Sequence, residues 1–209
     1  MKKILVVTMT KNRLETTRKY IGELALKAGY DFKHIVVDNG SKDGTVEYLK
    51  ETGYEVVENK ENEGIIRGWI RGVDFAIEQG FIPDYIVKFD DDCEIKTEDI
   101  LKQIMEFYEE NGDKYIVAPI NLKTYPKNCP EVIDDKKRIG SFNVRITALV
   151  GGRLKAMSYD AFKLIAEHKV EMDIERGKFW RKKGYSPVYL IDLKTIHRGE
   201  PTDRKTYKF

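Results

Sequence analysis

Apolar bursts rich in β-branched residues alternate along this chain with stretches of helical periodicity. "KILVVTMT" reads as a buried strand and "RLETTRKYIGELALKAG" as a helix closed by Gly29. "KHIVVDNG" is a second strand, and "KDGTVEYLKETG" a turn with a short helix. "YEVVEN" is a third strand, and "GIIRGWIRGVDFAIEQG" a helix closed by Gly80. "DYIVKFDDD" is a fourth strand, then "TEDILKQIMEFYEENG" a helix with Thr97 as its N-cap, and "YIVAPI" a fifth strand. Strand and helix in strict alternation predict an α/β fold: a mostly parallel sheet with helices on both faces. The alternation stops over residues 121–143, where two prolines and a charge run predict a long loop. Beyond it, "VRITALVGGRLKAMS" reads as strand, "YDAFKLIAEHK" as helix, "MDIERGKFWRKKG" as helix and "YSPVYLIDL" as strand. "KTIHRGEPTDRKTYKF" reads as a basic, irregular tail. With no repeat or linker, residues 1–209 are expected to form one domain.

Composition narrows the picture little. A length of 209 residues suits one large domain, and 41% hydrophobic with 11% aromatic residues is ordinary for a soluble globule. A net charge of +2 and the lack of a basic, aromatic-studded stripe argue against nucleic acid. Two cysteines, Cys93 and Cys129, make no framework, so a reduced, cytoplasmic setting is expected. Neither a leader peptide nor the roughly 20 apolar residues of a membrane span is expected, although peripheral membrane contact remains open.

In open α/β sheets, ligands gather beyond the carboxyl ends of the strands. Four polar clusters fall there: 8–13, 38–41, 59–62 and 90–92. The last is the most demanding, because Asp90, Asp91 and Asp92 follow a buried strand. Carboxylates a few Å apart repel by about 4 kcal/mol at an effective dielectric near 20. Solvation, a basic neighbour or a cation must compensate. In an extended segment Asp90 and Asp92 face one way and Asp91 the other, a pairing that suits a hard divalent ion holding phosphates. A solvated acidic turn capping the next helix is the simpler alternative. In "VVDNGSKDGT", Asp38 ends its strand where a carboxylate can accept from a base or ribose; plain turn chemistry, with Asp43 or Ser41 as a cap, explains the rest.

"HIVVDNGSKDGT", "NKENEGIIRGWIRG" and "VKFDDDCEI", in this order and spacing, resemble the nucleotide-binding half of GT-A glycosyltransferases of the family 2 type. The resemblance implies a Rossmann-like αβα sandwich with nucleotide-binding half 1–95 and acceptor or catalytic half 96–209. It implies that Thr8 and Asp38 contact the base, typically uracil, and that Asn62, Gly64 and Arg67 line base and ribose. Asp90 would touch ribose or metal, Asp91 would count with the nucleotide contacts, and Asp92 would ligate a Mn²⁺ or Mg²⁺ ion bridging the diphosphate. Ile70 stands where the family often has Asn.

The carboxyl half matches less closely. "VGGRLKAMSYDAF" resembles the family's acceptor-side strand and helix start, and "MDIERGKFWRKKGY" its acidic segment, with Met172 in place of the usual Glu. By resemblance Asp173 is the general base, though initiating a helix would equally account for it. Trp180 is expected in the core. His197 stands where many members complete the metal site, and Arg198, Arg204 and Lys205 are placed to neutralise diphosphate. The whole implies an inverting, metal-dependent transfer from a nucleotide sugar, a UDP-sugar, to an acceptor hydroxyl. That acceptor, a saccharide, a lipid-linked saccharide or a protein, would bind near the 121–143 loop and residues 151–153. A non-catalytic nucleotide-sugar binder of the same fold is the alternative. A sugar nucleotidyltransferase fits less, since "VVTMTKNRLETT" has no glycine-rich phosphate loop, and a dinucleotide oxidoreductase lacks GxGxxG.

Overall fold

The computed structural model describes residues 1–123, 132–134, 138–151, 153–170 and 172–198. Its first half follows the alternation in the sequence: β1 (Ile4–Thr10), α1 (Leu14–Tyr20), α2 (Glu23–Lys27), β2 (Lys33–Asp38), α3 (Thr45–Glu51), β3 (Glu55–Glu58), α4 (Ile65–Glu78) and β4 (Tyr85–Phe89). A short β5 (Cys93–Ile95), α5 (Ile100–Asn111) and β6 (Tyr115–Asn121) follow. The second half comprises β7 (Val132–Asp134), β8 (Arg138–Ile139), β9 (Phe142–Thr147), β10 (Leu154–Ser158), α6 (Tyr159–Glu167), α7 (Asp173–Lys182) and β11 (Ser186–His197).

The main sheet runs β3-β2-β1-β4-β10-β6-β11-β9-β7. Strands β3, β2, β1 and β4 are parallel, as are β6 and β11, while β10 and β9 run antiparallel to their neighbours. The chain moves outward from β1 to β3 and returns on the other side of β1. That reversal opens a crevice beyond the carboxyl ends of β1 and β4, the usual ligand position in such sheets. One face is covered by α2 and α5 through Leu24, Leu101, Ile104 and Phe107; the other by α4, α6 and α7 through Trp69, Phe162 and Trp180. Helix α4 lies unusually close to the sheet: a Cβ on Gly72 would stand 2.7 Å from Val7 Cγ1. Only a residue without a side chain permits that approach.

Four local expectations give way. The predicted first helix breaks at residues 21–22 into α1 and α2. Thr97 is not a helix cap; its hydroxyl accepts the N–H of Lys194, and α5 begins after Asp99 at φ 54°. The stretch read as one strand, 144–158, is two, because β9 pairs β11 whereas β10 pairs β4. And the tail is ordered strand through His197: β11 crosses β6, then pairs β5 by Thr195↔Ile95 and His197↔Cys93.

His34 on β2 packs edge-on to Tyr54 at 5.4 Å and shares a 2.9 Å hydrogen bond with the Thr8 hydroxyl. Burial pushes its imidazole down to about 4. Below pH 6.5 the unfolded chain takes up a proton that the native ring refuses, so stability falls as pH drops from 6.5 to about 4, by no more than about 3 kcal/mol. Urea unfolding across that range should show the decline in the native chain and a flatter profile in His34→Phe. Equal slopes would remove His34 as the cause.

Candidate active site

At the rim, β1 and β2 end side by side with Thr10 opposite Asp38. Asp38 is 1% exposed; its Oδ2 accepts the N–H groups of Gly40 at 3.0 Å and Ser41 at 2.7 Å, while Oδ1 is buried with no partner. Asn59, buried at the end of β3, donates to Asn39 Oδ1 at 2.9 Å and also leaves its own Oδ1 unpaired. Buried acceptors are normally satisfied, and these two oxygens have no partner among the described residues. Thr8 lies inside that rim, fully buried and held by His34; the strand places Thr10 at the edge instead. Asp43 belongs to the turn: its carboxylate accepts the Leu14 N–H at 3.0 Å and the Thr45 N–H at 3.2 Å, capping α1 and α3.

The aspartate trio answers its own electrostatic problem with arginine and lysine. Asp90 is taken by Lys88 and by Arg153 Nη1 at 3.2 Å. Asp91, 1% exposed, accepts from Thr10 at 2.6 Å, Thr17 at 3.2 Å and Arg13 Nη1 at 2.9 Å. Arg13 also donates to Asp92 Oδ2 at 2.7 Å. The expected extended geometry does not hold, because β4 ends at Phe89 and residues 91–92 form a turn, so adjacent Asp91 and Asp92 share one guanidinium. Compensation is therefore built from basic neighbours. Asp91 ties the end of β1 and the start of α1 to the end of β4. Asp91→Asn should cost about 2–3 kcal/mol in urea unfolding, since Arg13 keeps only Asp92 and an amide NH₂ confronts two hydroxyl donors. Unchanged stability would deny Asp91 this structural role.

Asp92 has a different environment. Its Oδ2 accepts from Arg13 and lies 2.9 Å from His197 Nε2, whereas its Oδ1 is buried and unpaired. Burial works against its ionisation, but Arg153, His197 and Arg13 outweigh burial and hold the carboxyl below the usual range. The β5–β11 pairing delivers His197, and the Arg198 N–H to Asp92 C=O bond at 2.9 Å locks the end of that strand. Arg153 lies 3.3 Å from the other ring nitrogen of His197. Cys93 is buried beside them, its thiol pushed well up by burial and by Asp90 and Asp92, which leaves it inert.

Across the rim, α7 begins with Asp173. Its Oδ1 accepts from Lys155 Nζ at 3.0 Å and Arg176 Nη2 at 2.7 Å, and its side chain is 49% exposed. Burial opposes the charge, but Lys155 and Arg176 carry the carboxyl far below the usual range. Helix α7 is seated by Gly177, where a Cβ would stand 2.5 Å from Leu149 Cβ. Trp180 is in the core as expected, donating to Ala161 C=O at 3.0 Å.

Asn62 and Gly64 form the turn that starts α4: Asn62 Oδ1 accepts the Gly64 N–H at 3.1 Å, and Gly64 is at φ 83°. Arg67 is exposed on the first turn of α4. Ile70 packs against the core. Arg204 and Lys205, Cys129, and residues 124–131, 135–137 and 152 of the proposed acceptor region lie outside the described residues. Sequence reading placed 8–13 at the rim and 151–153 near the acceptor without foreseeing Arg13 and Arg153 as counter-ions, and it missed Lys88 and Lys155. The signal for these two was a lone lysine interrupting an apolar strand, in "YIVKF" and "LKAMS".

Residues 5–144 match the model of the family described as glycosyl transferase family 2. An uncharacterised protein of Methanocaldococcus jannaschii is 34% identical over 204 residues, 90% of this chain and 81% of that protein. A UDP-N-acetylglucosamine–dolichyl-phosphate N-acetylglucosaminyltransferase of Methanococcus voltae is 28% identical over 192 residues, 78% of this chain and 74% of its own. A mannosyltransferase of Pyrobaculum calidifontis, solved with GDP-mannose and Mn²⁺, superposes with TM-score 0.72 at 17% identity, over 97% of this chain and 58% of its own.

Proposed function

This chain belongs to glycosyl transferase family 2, and from that we propose that it transfers a sugar from a UDP-sugar to an acceptor hydroxyl, with inversion and with a divalent cation. The observation that supports the reading is that Asp38, closing β2, and Asp92, just beyond β4, each keep one buried carboxylate oxygen without a partner among the described residues. Asp38 suits the N–H of a base or a ribose hydroxyl. Asp92 with His197 suits Mn²⁺ or Mg²⁺, with diphosphate oxygens and water completing the shell. Among the described residues Asp90, Asp92 and His197 do not form a three-ligand metal group. Asp90 would join the ion only by releasing Lys88 or Arg153. When bound, such an ion stabilises the charge that builds on the departing diphosphate.

The chain's own residues supply the rest. Asp173 accepts the acceptor's hydroxyl proton while that oxygen bonds to the anomeric carbon, and the bond to the diphosphate breaks with its electron pair leaving on the diphosphate oxygen. Asn62 and Gly64, in the turn before α4, and Arg67, on its first turn, are assigned to the ribose side. Among the described residues no helix is long and apolar enough to cross a membrane.

Thermal-shift measurements with UDP- and GDP-sugars, each with and without Mn²⁺, test this reading. At 100 times the dissociation constant a ligand adds about 2.7 kcal/mol, a shift of roughly 5–10 °C for this size. A UDP-sugar with Mn²⁺ should give it; a flat panel would defeat the reading.

A further inference from the structure

We propose that Lys155 is a positioning residue for sugar transfer: from inside the sheet it fixes the Asp173 carboxylate in one charge state and one orientation. This rests on Asp173 being the base. Lys155 sits in β10, an otherwise apolar strand, with its side chain 2% exposed. A buried ammonium without a counter-ion is untenable, and the carboxylate oxygen in reach is Asp173 Oδ1 at 3.0 Å. The Trp180 ring, 5.8 Å away, covers the ammonium. The residue opposite on β4 is Lys88. Two lysines side by side would repel, but Lys88 is committed to Asp90 and Lys155 to Asp173, so each charge has its own partner.

Arg176 grips the same oxygen of Asp173 but rides on the same helix, three residues away. Lys155 alone of these two cations ties the carboxylate to the sheet that carries the nucleotide end of the crevice. Held through Oδ1, a half-exposed carboxylate turns its other edge outward, toward an incoming hydroxyl. The charged groups around the pair are Arg176 from α7, Lys88 from β4 and, beyond Lys88, Asp90. Lys155 and Arg176 also keep Asp173 ionised far into acid, while burial draws the ammonium of Lys155 down and Asp173 pushes it back.

The test combines carboxyl ¹³C NMR of Asp173, assigned by its disappearance in Asp173→Asn, with UDP release from UDP-N-acetylglucosamine and Mn²⁺ as the probe reaction. In the unaltered protein the Asp173 signal should show no titration down to about pH 3. In Lys155→Met its titration should come into view above about pH 3. The acid limb of the kcat profile should move up with it, kcat should fall about 10- to 100-fold, and KM for the donor should change less than about twofold. An Asp173 signal titrating near 4 in the unaltered protein overturns the inference whether or not Lys155→Met folds. So does an unmoved signal in a folded Lys155→Met. A moved signal with full turnover in both Lys155→Met and Asp173→Asn removes Asp173 as base, and the catalytic meaning of the contact goes with it.

Discussion

Asp92→Ala should abolish cation-dependent donor binding while the chain still folds, with a stability loss of about 2–3 kcal/mol from breaking its buried pairing with Arg13. Removing the carboxylate deletes the unpaired Oδ1 and the partner of His197, and with them the strongest protein contribution to a divalent site. Altering groups that merely support metal ligands already costs 10- to 100-fold in affinity, so loss of a ligand itself should exceed about 100-fold. Turnover should fall by a further ~10²–10³, the usual cost of losing charge stabilisation on a leaving group. The cations around it are not stranded: Arg13 keeps Asp91, and Arg153 keeps Asp90. The contrast with Asp91→Asn is the informative part. Both adjacent aspartates hold Arg13, so both substitutions should cost stability, but only Asp92→Ala should lose the donor. Titration calorimetry of UDP with Mn²⁺, beside urea unfolding, checks both; undiminished binding by Asp92→Ala would refute the assignment.

Asp173→Asn should show the opposite profile. The proposed donor site draws on β1, β2, β4, the start of α4 and the end of β11, none of which carries Asp173, so nucleotide affinity should stay within about twofold. Turnover should drop ~10²–10⁴-fold, the range that general-base assistance supplies. Some stability is lost too. The asparagine carbonyl can still accept from Lys155 and Arg176, but two largely buried cations no longer face a negative charge, a cost of about 2–4 kcal/mol. Turnover measured well below the unfolding temperature separates the two effects. Transfer at the unaltered rate would dismiss Asp173 as the base.

The parallel half of the fold could be read from sequence because its strands are buried on both faces and its turns carry their own chemistry. "ILVVTMT", "HIVVD" and "YIVKF" are continuous apolar runs, and the Asp-Asn-Gly turn after β2 places Asp38 at a strand end wherever the sheet lies. The second half resisted because its pairings are non-local. Nothing within "VRITALVGGRLKAMS" says that its two ends join strands on opposite sides of β6 and β11. "KTIH" lacks strand-like periodicity, yet it is extended because β5 offers it an edge.

The site divides along the same line. Asp38 and Asp92 were singled out by their place after predicted strands, and Asp173 and His197 by resemblance to the family. Their partners were not, because Arg13, Lys88, Arg153 and Lys155 acquire meaning only when β1, β4, β10 and α7 converge. The trio looked as though it required an external cation to be tolerable; Arg13, Lys88 and Arg153 show that it does not. On the proposed function the cation moves from a folding requirement to a ligand-binding one, and donor binding would exchange internal counter-ions for metal and phosphate.

Calorimetric titration of UDP into the protein, with saturating Mn²⁺ and again after chelation, tests that exchange most directly. Binding with Mn²⁺ that weakens at least about tenfold on chelation, in a protein whose unfolding curve chelation leaves unchanged, is the predicted result. No association of UDP at saturating Mn²⁺, or equal affinity with and without the ion, would contradict it.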